Sequence, residues 1–405
     1  MISADGQRMM EPPAPEPRPP ELSPAALFLR FLRFGALAFG GPIAQIATIR
    51  RELVDEERWI SSDRFNRLLA VMQALPGPEA HELCVHLGIR AGGRLGGILA
   101  GLGFMLPGLV LMLLLAWAYT SFAVGGAIPG AAFLGTQAAV IAVIVRAVHR
   151  IGEHILSDRA LWVAALGAAA ASLAGVSFWI VLPTAGIAYA LAFTRRLALA
   201  MAAVAVGVLA AVVLGAQHGA GPTAGAAAPT AAALFWTGLK GGLLTFGGAY
   251  TAIPFIRSDT VGGGWMTDAQ FLDGLGLSGV LPAPLVIFAT FAGWISGGPA
   301  GALAVTAGMF LPAFAFSLLF YEHLEAVAEH KRLQLFLAGV AAAVVGLIAV
   351  TTVDLARTTA ARTPSLLASA LVFTAALAIT YGWRSKLATP IALALGAAAG
   401  LIALR

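Results

Sequence analysis

The chain is built of long apolar runs separated by short charged turns. Runs of spanning length fall at about 27–49, 68–89, 95–120, 127–148, 160–176, 177–194 and 197–215. After the uncharged stretch GAQHGAGPTAGAAAPTAAA they resume at about 232–256, 270–293, 299–321, 333–352, 365–382 and 387–404. A helix needs about 20 apolar residues to cross a hydrocarbon core, so each run predicts one transmembrane helix. The strict alternation of a barrel strand does not occur. The pattern predicts an all-α polytopic membrane protein of about 13 transmembrane helices.

Composition agrees. Of 405 residues 59% are hydrophobic and 11% charged, too few polar groups to cover a soluble chain of this size. The net charge of +5 does not argue for nucleic acid, because the basic residues cluster at the ends of the apolar runs. Residues 1–26 are proline-rich and lack an apolar core, which predicts a disordered tail rather than a signal peptide. One cysteine, Cys84, allows no intramolecular disulfide.

The two sets of runs are related. The FGGP at Phe39–Pro42 returns as FGGA at Phe246–Ala249, 207 residues later. Trp59, Phe65, Pro76 and Pro78 return as Trp265, Phe271, Pro282 and Pro284, each 206 later. So many matches near one offset indicate an internal duplication. The chain divides into a first repeat over 27–194, a linker helix and Gly/Ala-rich loop over 195–231, and a second repeat over 232–405. If every run crosses, an odd number of crossings separates equivalent positions and the repeats are inverted. If the two proline-containing second runs are re-entrant, the number is even and the repeats are parallel. Counting Lys and Arg on each side fits either arrangement. The inverted one is preferred, because inverted repeats commonly build a transport site at the midplane.

The densest chemistry lies in LPGPEAHELCVHLG, Leu75–Gly88. His81 and His86 resemble a zinc motif, but they stand five residues apart, about 140° around a helix, so both imidazoles cannot face one ion. No metal, cofactor or catalytic group is expected here. The second repeat has LPAPLVIFATFAG at the same place. Two prolines two apart remove backbone donors inside an apolar run, and the freed groups must find protein, water or solute. Broken helices at matching depth point to a transport site, although a proline-kinked packing helix would show the same letters.

The glycine pairs make the same argument, since glycine allows either close packing or an opened helix whose amides face an anion. Six residues before each FGG stands a cation, Arg33 or Lys240. Cations within a membrane are costly and signal function, with snorkelling to the interface as the alternative. Two such cations beside broken helices would suit an anion. Glu79 and then Glu82 are the candidate proton carriers, because a carboxylate in partly dry surroundings can take up and release a proton. The rival role is to line a watery vestibule or pair with an arginine.

These residues also resemble a known family. FLRFGALAFGGP, LPGPEAHEL, TFGGAYTAIPF, QFLDGLGLSGVLPAPLVIFATF and FLPAF, in this order from about Phe28 to Ile348, resemble the chromate ion transporters in their long, two-domain form. The resemblance implies a multi-pass permease of the inner cell membrane that exports chromate, an oxyanion shaped like sulfate, and so confers resistance. The family's motif residues fall on Arg33, Phe39, Gly40, Gly41 and Pro42, and on Pro76, Gly77 and Pro78. In the second repeat they fall on Lys240, Phe246, Gly247, Gly248, Pro254, Pro282 and Pro284. Two places depart from the pattern: Gln45 stands where a histidine is frequent, and His81 with Glu82 where glutamines are.

The rival readings are a permease for sulfate or another oxyanion, a membrane enzyme, and a non-transporting scaffold. HExxH, GxSxG and P-loop motifs do not occur in the sequence, so transport would be secondary-active, with protons as a candidate coupling ion. The expected partners are the oxyanion and the lipid bilayer, with the oligomeric state open and a homodimer included.

Overall fold

The computed structural model describes residues 16–123, 127–194, 196–215, 228–246, 248–321, 330–383 and 385–404. Most of the expected tail, part of the Gly/Ala-rich loop, and Gly247 lie outside the described residues. Every regular element among those described is helical.

Helix α1 (Pro24–Ala36) begins where the Ser23 hydroxyl accepts the Ala26 N–H, with proline in its first turn. It ends at the FGG sequence, and the chain then turns back through α2 (Gly41–Arg50) and a π-helical turn, Arg51–Glu56. Arg33 pairs with Glu52 and Arg30 with Glu57, so later residues of the return arm meet earlier residues of α1. This antiparallel order defines a hairpin with its tip near Phe39.

A second hairpin follows. Helix α3 (Ser62–Ala74), capped by Ser61, leads to Pro76-Gly77-Pro78, and α4 (Glu79–Ala118) starts on the far side. The first arm of α4 returns to where α3 began: Arg90 Nε donates to the Trp59 carbonyl at 3.1 Å. At Gly92 and Gly93 the helix folds on itself, with Gly93 at φ 62°, a conformation glycine adopts freely. Gly88 and Gly96 then face each other backbone to backbone, so closely that a Cβ on either would collide. Residues 79–91 and 94–118 are therefore two antiparallel helices.

The second repeat rebuilds this. Helix α9 (Ala231–Leu243) is capped by Thr230 and paired to α10 (Ile253–Thr260) through Lys240 and Asp259. Helix α11 (Asp268–Val280) has a capping box of Thr267 and Gln270. Helix α12 (Phe288–Leu319) folds at Gly297 and Gly298, with Gly293 against Gly301.

Each hairpin arm is too short to cross. The longest of the arms α1, α3, α9 and α11 has 13 residues, roughly 20 Å against a core of about 30 Å. The runs 27–49 and 232–256 were expected as crossing helices, and the proline-containing runs 68–89 and 270–293 as crossing or re-entrant ones; all four double back. The cause is local: Gly40, Gly41 and Gly77 have φ of 89°, 78° and 145°, and the flanking prolines withhold the donors that would continue a helix.

Among the described residues four helical stretches are long and apolar enough to cross a membrane, Glu79–Phe122, Gly130–Ile155, Leu285–Leu319 and Lys331–Arg362, the first and third being counted across their glycine folds. They include α5 (Ala127–Ile155) and α13 (Lys331–Arg362). Shorter apolar helices are α6 (Arg159–Leu173), α7 (Phe178–Phe193), α8 (Leu197–Gly215), α14 (Leu366–Gly382) and α15 (Ala388–Ala403). Their outward faces carry exposed Trp162, Val163, Leu166 and Leu367, as a lipid-facing surface requires. The protein is a multi-pass membrane protein.

The repeats interlock. Helix α5 of the first packs on α14 and α15 of the second, while α13 of the second packs on α6 and α7 of the first. Gly135 sits against Gly396 and Gly400, and Ala131 against Gly400, so α5 and α15 run in opposite directions. His149 and Tyr381, near the C-terminal ends of α5 and α14, are 2.7 Å apart, so those two helices run the same way. Only residues 363–365 join α13 to α14, a short turn between successive membrane helices, so α13 runs opposite to α14 and to its own counterpart α5.

Candidate functional site

The four hairpin tips meet. The Gly77 N–H donates to the Thr245 carbonyl at 2.9 Å, which joins the second tip of the first repeat to the first tip of the second. Gln45, from α2, closes the reciprocal contact: its Nε2 donates to the Ala38 carbonyl at 2.9 Å and to the Ala283 carbonyl at 3.1 Å. Ala38 and Thr245 are repeat equivalents, as are Gly77 and Ala283. The crossing contacts are thus related by the duplication, with a backbone amide in one and a glutamine side chain in the other. A buried carbonyl deprived of its helical partner must be satisfied somewhere, and here the opposite repeat supplies the donor.

The predicted residues group around these tips. Phe39, Gly40, Gly41 and Pro42 form the turn into α2, with Gly40 so close to Lys386 that a Cβ would collide. Pro76, Gly77 and Pro78 form the second tip. Phe246 is buried and Gly248 has φ 129°, while Pro254 sits in the first turn of α10. Pro282 and Pro284 lead into a short 3₁₀ turn, Leu285–Ile287, before α12. The N-terminal ends of α2 and α4 therefore start from the tips, while a 3₁₀ turn, Ala249–Ala252, leads from the third tip into α10, and unpaired N–H groups at helix starts favour negative charge.

The two cations are not bare. Arg33 holds Glu52 with both terminal guanidinium nitrogens, Nη1 to Oε2 at 3.1 Å and Nη2 to Oε1 at 3.4 Å. Lys240 holds Asp259, whose other oxygen accepts from Thr237 at 2.9 Å. Their settings differ. The Arg33 side chain is 60% exposed, whereas Lys240 is 6% exposed and lies 5.1 Å from the centre of the Phe178 ring.

The carboxylates of LPGPEAHEL are buried within the protein. Glu79 lies in the first turn of α4, and Glu82 lies at 1% exposure. The Glu82 carboxylate is turned towards the tip and lies against Gly77, while both its oxygens lack a hydrogen-bond partner among the described residues. Its backbone carbonyl accepts from Ser317 of α12 at 3.4 Å. The histidines part company: the His81 ring lies between Phe310 and Phe314, at 5.0 and 4.7 Å, and that of His86 against Tyr321 at 4.4 Å. Among the described residues no three potential metal ligands gather.

Three acids were missed in the sequence. Glu52 and Asp259 each follow their cation by 19 residues and stand 207 apart, the offset of the duplication itself, so the signal was present. Asp273 is buried and accepts from Tyr119 and Gln137, both at 2.8 Å. Its repeat equivalent is Arg67, and no pattern in the sequence marked it.

Comparison with known proteins gives this geometry a context. The chromate transporter family model matches residues 25–193 and 232–401. A chromate transport protein of Pseudomonas aeruginosa is 62% identical over 95% of this chain and 94% of its own length. A probable chromate transport protein of Synechococcus elongatus is 30% identical over 92% of this chain and 93% of its own. A chromate transport protein of Cupriavidus metallidurans is also 30% identical, over 93% and 92% respectively. No solved structure matches the chain. With both repeats matched and a relative this similar along nearly the whole length, the chain belongs to the chromate transporter family.

Proposed function

We propose that the protein exports chromate, or an oxyanion of the same shape and charge, across the inner cell membrane as a secondary-active transporter. The observation that carries this reading is the meeting of four broken hairpins from two repeats, with a cation about two turns from each FGG tip. Half-length arms that meet tip to tip suit a site near the midplane. Their amides and two cations suit a tetrahedral dianion. The relatives named for chromate transport match both repeats, which favours chromate among such anions.

The opposed directions of α5 and α13 support inverted repeats. Each repeat then places its two hairpins on one side, and the second repeat places its pair on the other. Arg33 would face one mouth and Lys240 the opposite one. The lack of a P-loop in the sequence supports an ion gradient as the driving force, with protons as the coupling ion. The position of Glu82 against Gly77 favours it over Glu79 as the proton carrier. The test is oxyanion flux in proteoliposomes with imposed pH and voltage gradients. Chromate flux that responds to the pH gradient and exceeds sulfate flux supports the reading, and the absence of any oxyanion flux rejects it.

A further inference from the structure

The two cations share an arrangement that the proposed function does not use. In each repeat the cation lies on the ingoing arm of the first hairpin, and its acid lies on the outgoing arm, 19 residues on. Arg33 and Lys240 are 207 apart, and so are Glu52 and Asp259. The duplication has kept the pair as a unit although both chemical identities changed, arginine with glutamate in one repeat and lysine with aspartate in the other.

We propose that Glu52 and Asp259 are exchangeable counter-ions, each occupying its cation between transport cycles and giving way to the oxyanion when it arrives. This rests on the reading of the protein as an oxyanion transporter. A buried ammonium without a partner is costly, because its desolvation penalty is no longer offset. Exchange of carboxylate for oxyanion keeps Lys240 neutralised at every stage. It also gives release a direct agent: the carboxylate competes for the cation and expels the anion.

The pairs are also in different states. Lys240 is enclosed by Asp259, Thr237 and the Phe178 ring, while Arg33 is open on one side and its partner Glu52 is buried. Glu52 also lies 3.6 Å from Arg51, so it has a second cation to turn to when displaced. Thr237 offers Asp259 a hydroxyl to keep. Each carboxylate thus keeps a second partner when its cation is taken by the anion.

The test uses the full-length protein, with chromate and sulfate as probes. Anion-induced thermal stabilisation is measured in detergent, and initial rates in proteoliposomes. Asp259→Asn removes the competitor, so the half-saturating chromate concentration falls by about ten-fold, equivalent to roughly 1.4 kcal/mol. The turnover falls at the same time, because release loses its agent. Glu52→Gln shifts KM and kcat in the same directions by a smaller factor, since the Arg33 side chain is exposed where Lys240 is buried. Asp259→Glu keeps the competing charge and therefore moves both KM and kcat less than Asp259→Asn does. Unchanged or raised KM in both neutral variants, with only lowered thermal stability, overturns the proposal and makes the pairs simple braces. If Asp259→Asn does not fold, the Glu52→Gln result decides. Wild-type protein that neither binds nor transports any oxyanion removes the functional reading, and the counter-ion proposal with it.

Discussion

The carboxylate of Glu82 lies against the Cα of Gly77, leaving no room for even a methyl group on that residue. Gly77 also has φ 145°, which L-residues rarely adopt. Both constraints act on the tip whose amide binds the Thr245 carbonyl. Gly77→Ala should therefore cost about 1–3 kcal/mol, the usual strain at such a position, plus displacement of Glu82. A lower melting temperature and reduced transport are expected. Adding Glu82→Ala should recover part of the stability by removing the collision, with the backbone strain remaining. Normal melting of Gly77→Ala would mean that the tip is loose.

The same contact bears on coupling. A transported dianion passing the Gly77 tip would meet the Glu82 carboxyl group. At an effective dielectric of about 20, two unit charges about 4 Å apart interact by roughly 4 kcal/mol, so the charge on this group decides whether the anion stays. Glu82→Gln is expected to flatten the pH dependence of chromate flux while preserving flux itself. Glu79→Gln should have the smaller effect. Flux measured over a range of pH in proteoliposomes checks this, and an unaltered profile for Glu82→Gln removes it from the proton path.

Hydropathy made the apolar runs legible, because it is a property of local composition, and matching residues at one offset made their duplication legible. Hydropathy did not show that the runs double back. A run such as 27–49 has the same apolar length whether it crosses or returns; what distinguishes the two is contact between its beginning and the residues just beyond its end, Arg30 with Glu57 and Arg33 with Glu52. The breaks themselves were readable at Pro76-Gly77-Pro78 and at FGG, since proline and glycine act through the backbone. The fold at Gly92 and Gly93 was legible as well, since it falls in the gap between the runs 68–89 and 95–120. Glu52 and Asp259 were hidden for a different reason. Attention to apolar segments passes over acids near a segment's end, although the repeat offset connects them.

Topology has a direct test. Arg94 and Ala300 are exposed, stand 206 apart, and follow the two glycine folds. On a Cys84→Ala background, Arg94→Cys and Ala300→Cys should react with an impermeant maleimide from opposite faces of sealed vesicles. Buried Cys84 has a fully covered side chain, so its removal should cost little beyond a small cavity. Labelling from one face only would mean that the repeats are parallel, despite the opposed helices α5 and α13.

Lys240 is the most demanding position to test, because its loss has two consequences. It is buried beside Phe178, and its charge is balanced by Asp259. Removing one member of a buried pair typically costs about 3–5 kcal/mol by stranding the other. A dead Lys240→Gln variant would therefore not separate transport from folding. The double variant Lys240→Gln with Asp259→Asn leaves no stranded charge and keeps similar volumes and hydrogen-bonding groups. It should insert, and melt within a few degrees of wild type, yet lose most chromate flux and most chromate-induced stabilisation. Lys240→Arg keeps the charge and should retain part of both, limited by the wider guanidinium against the Phe178 ring. Wild-type flux in the double variant would show that the lysine only braces the hairpin, and that the anion crosses this half of the protein without a cation.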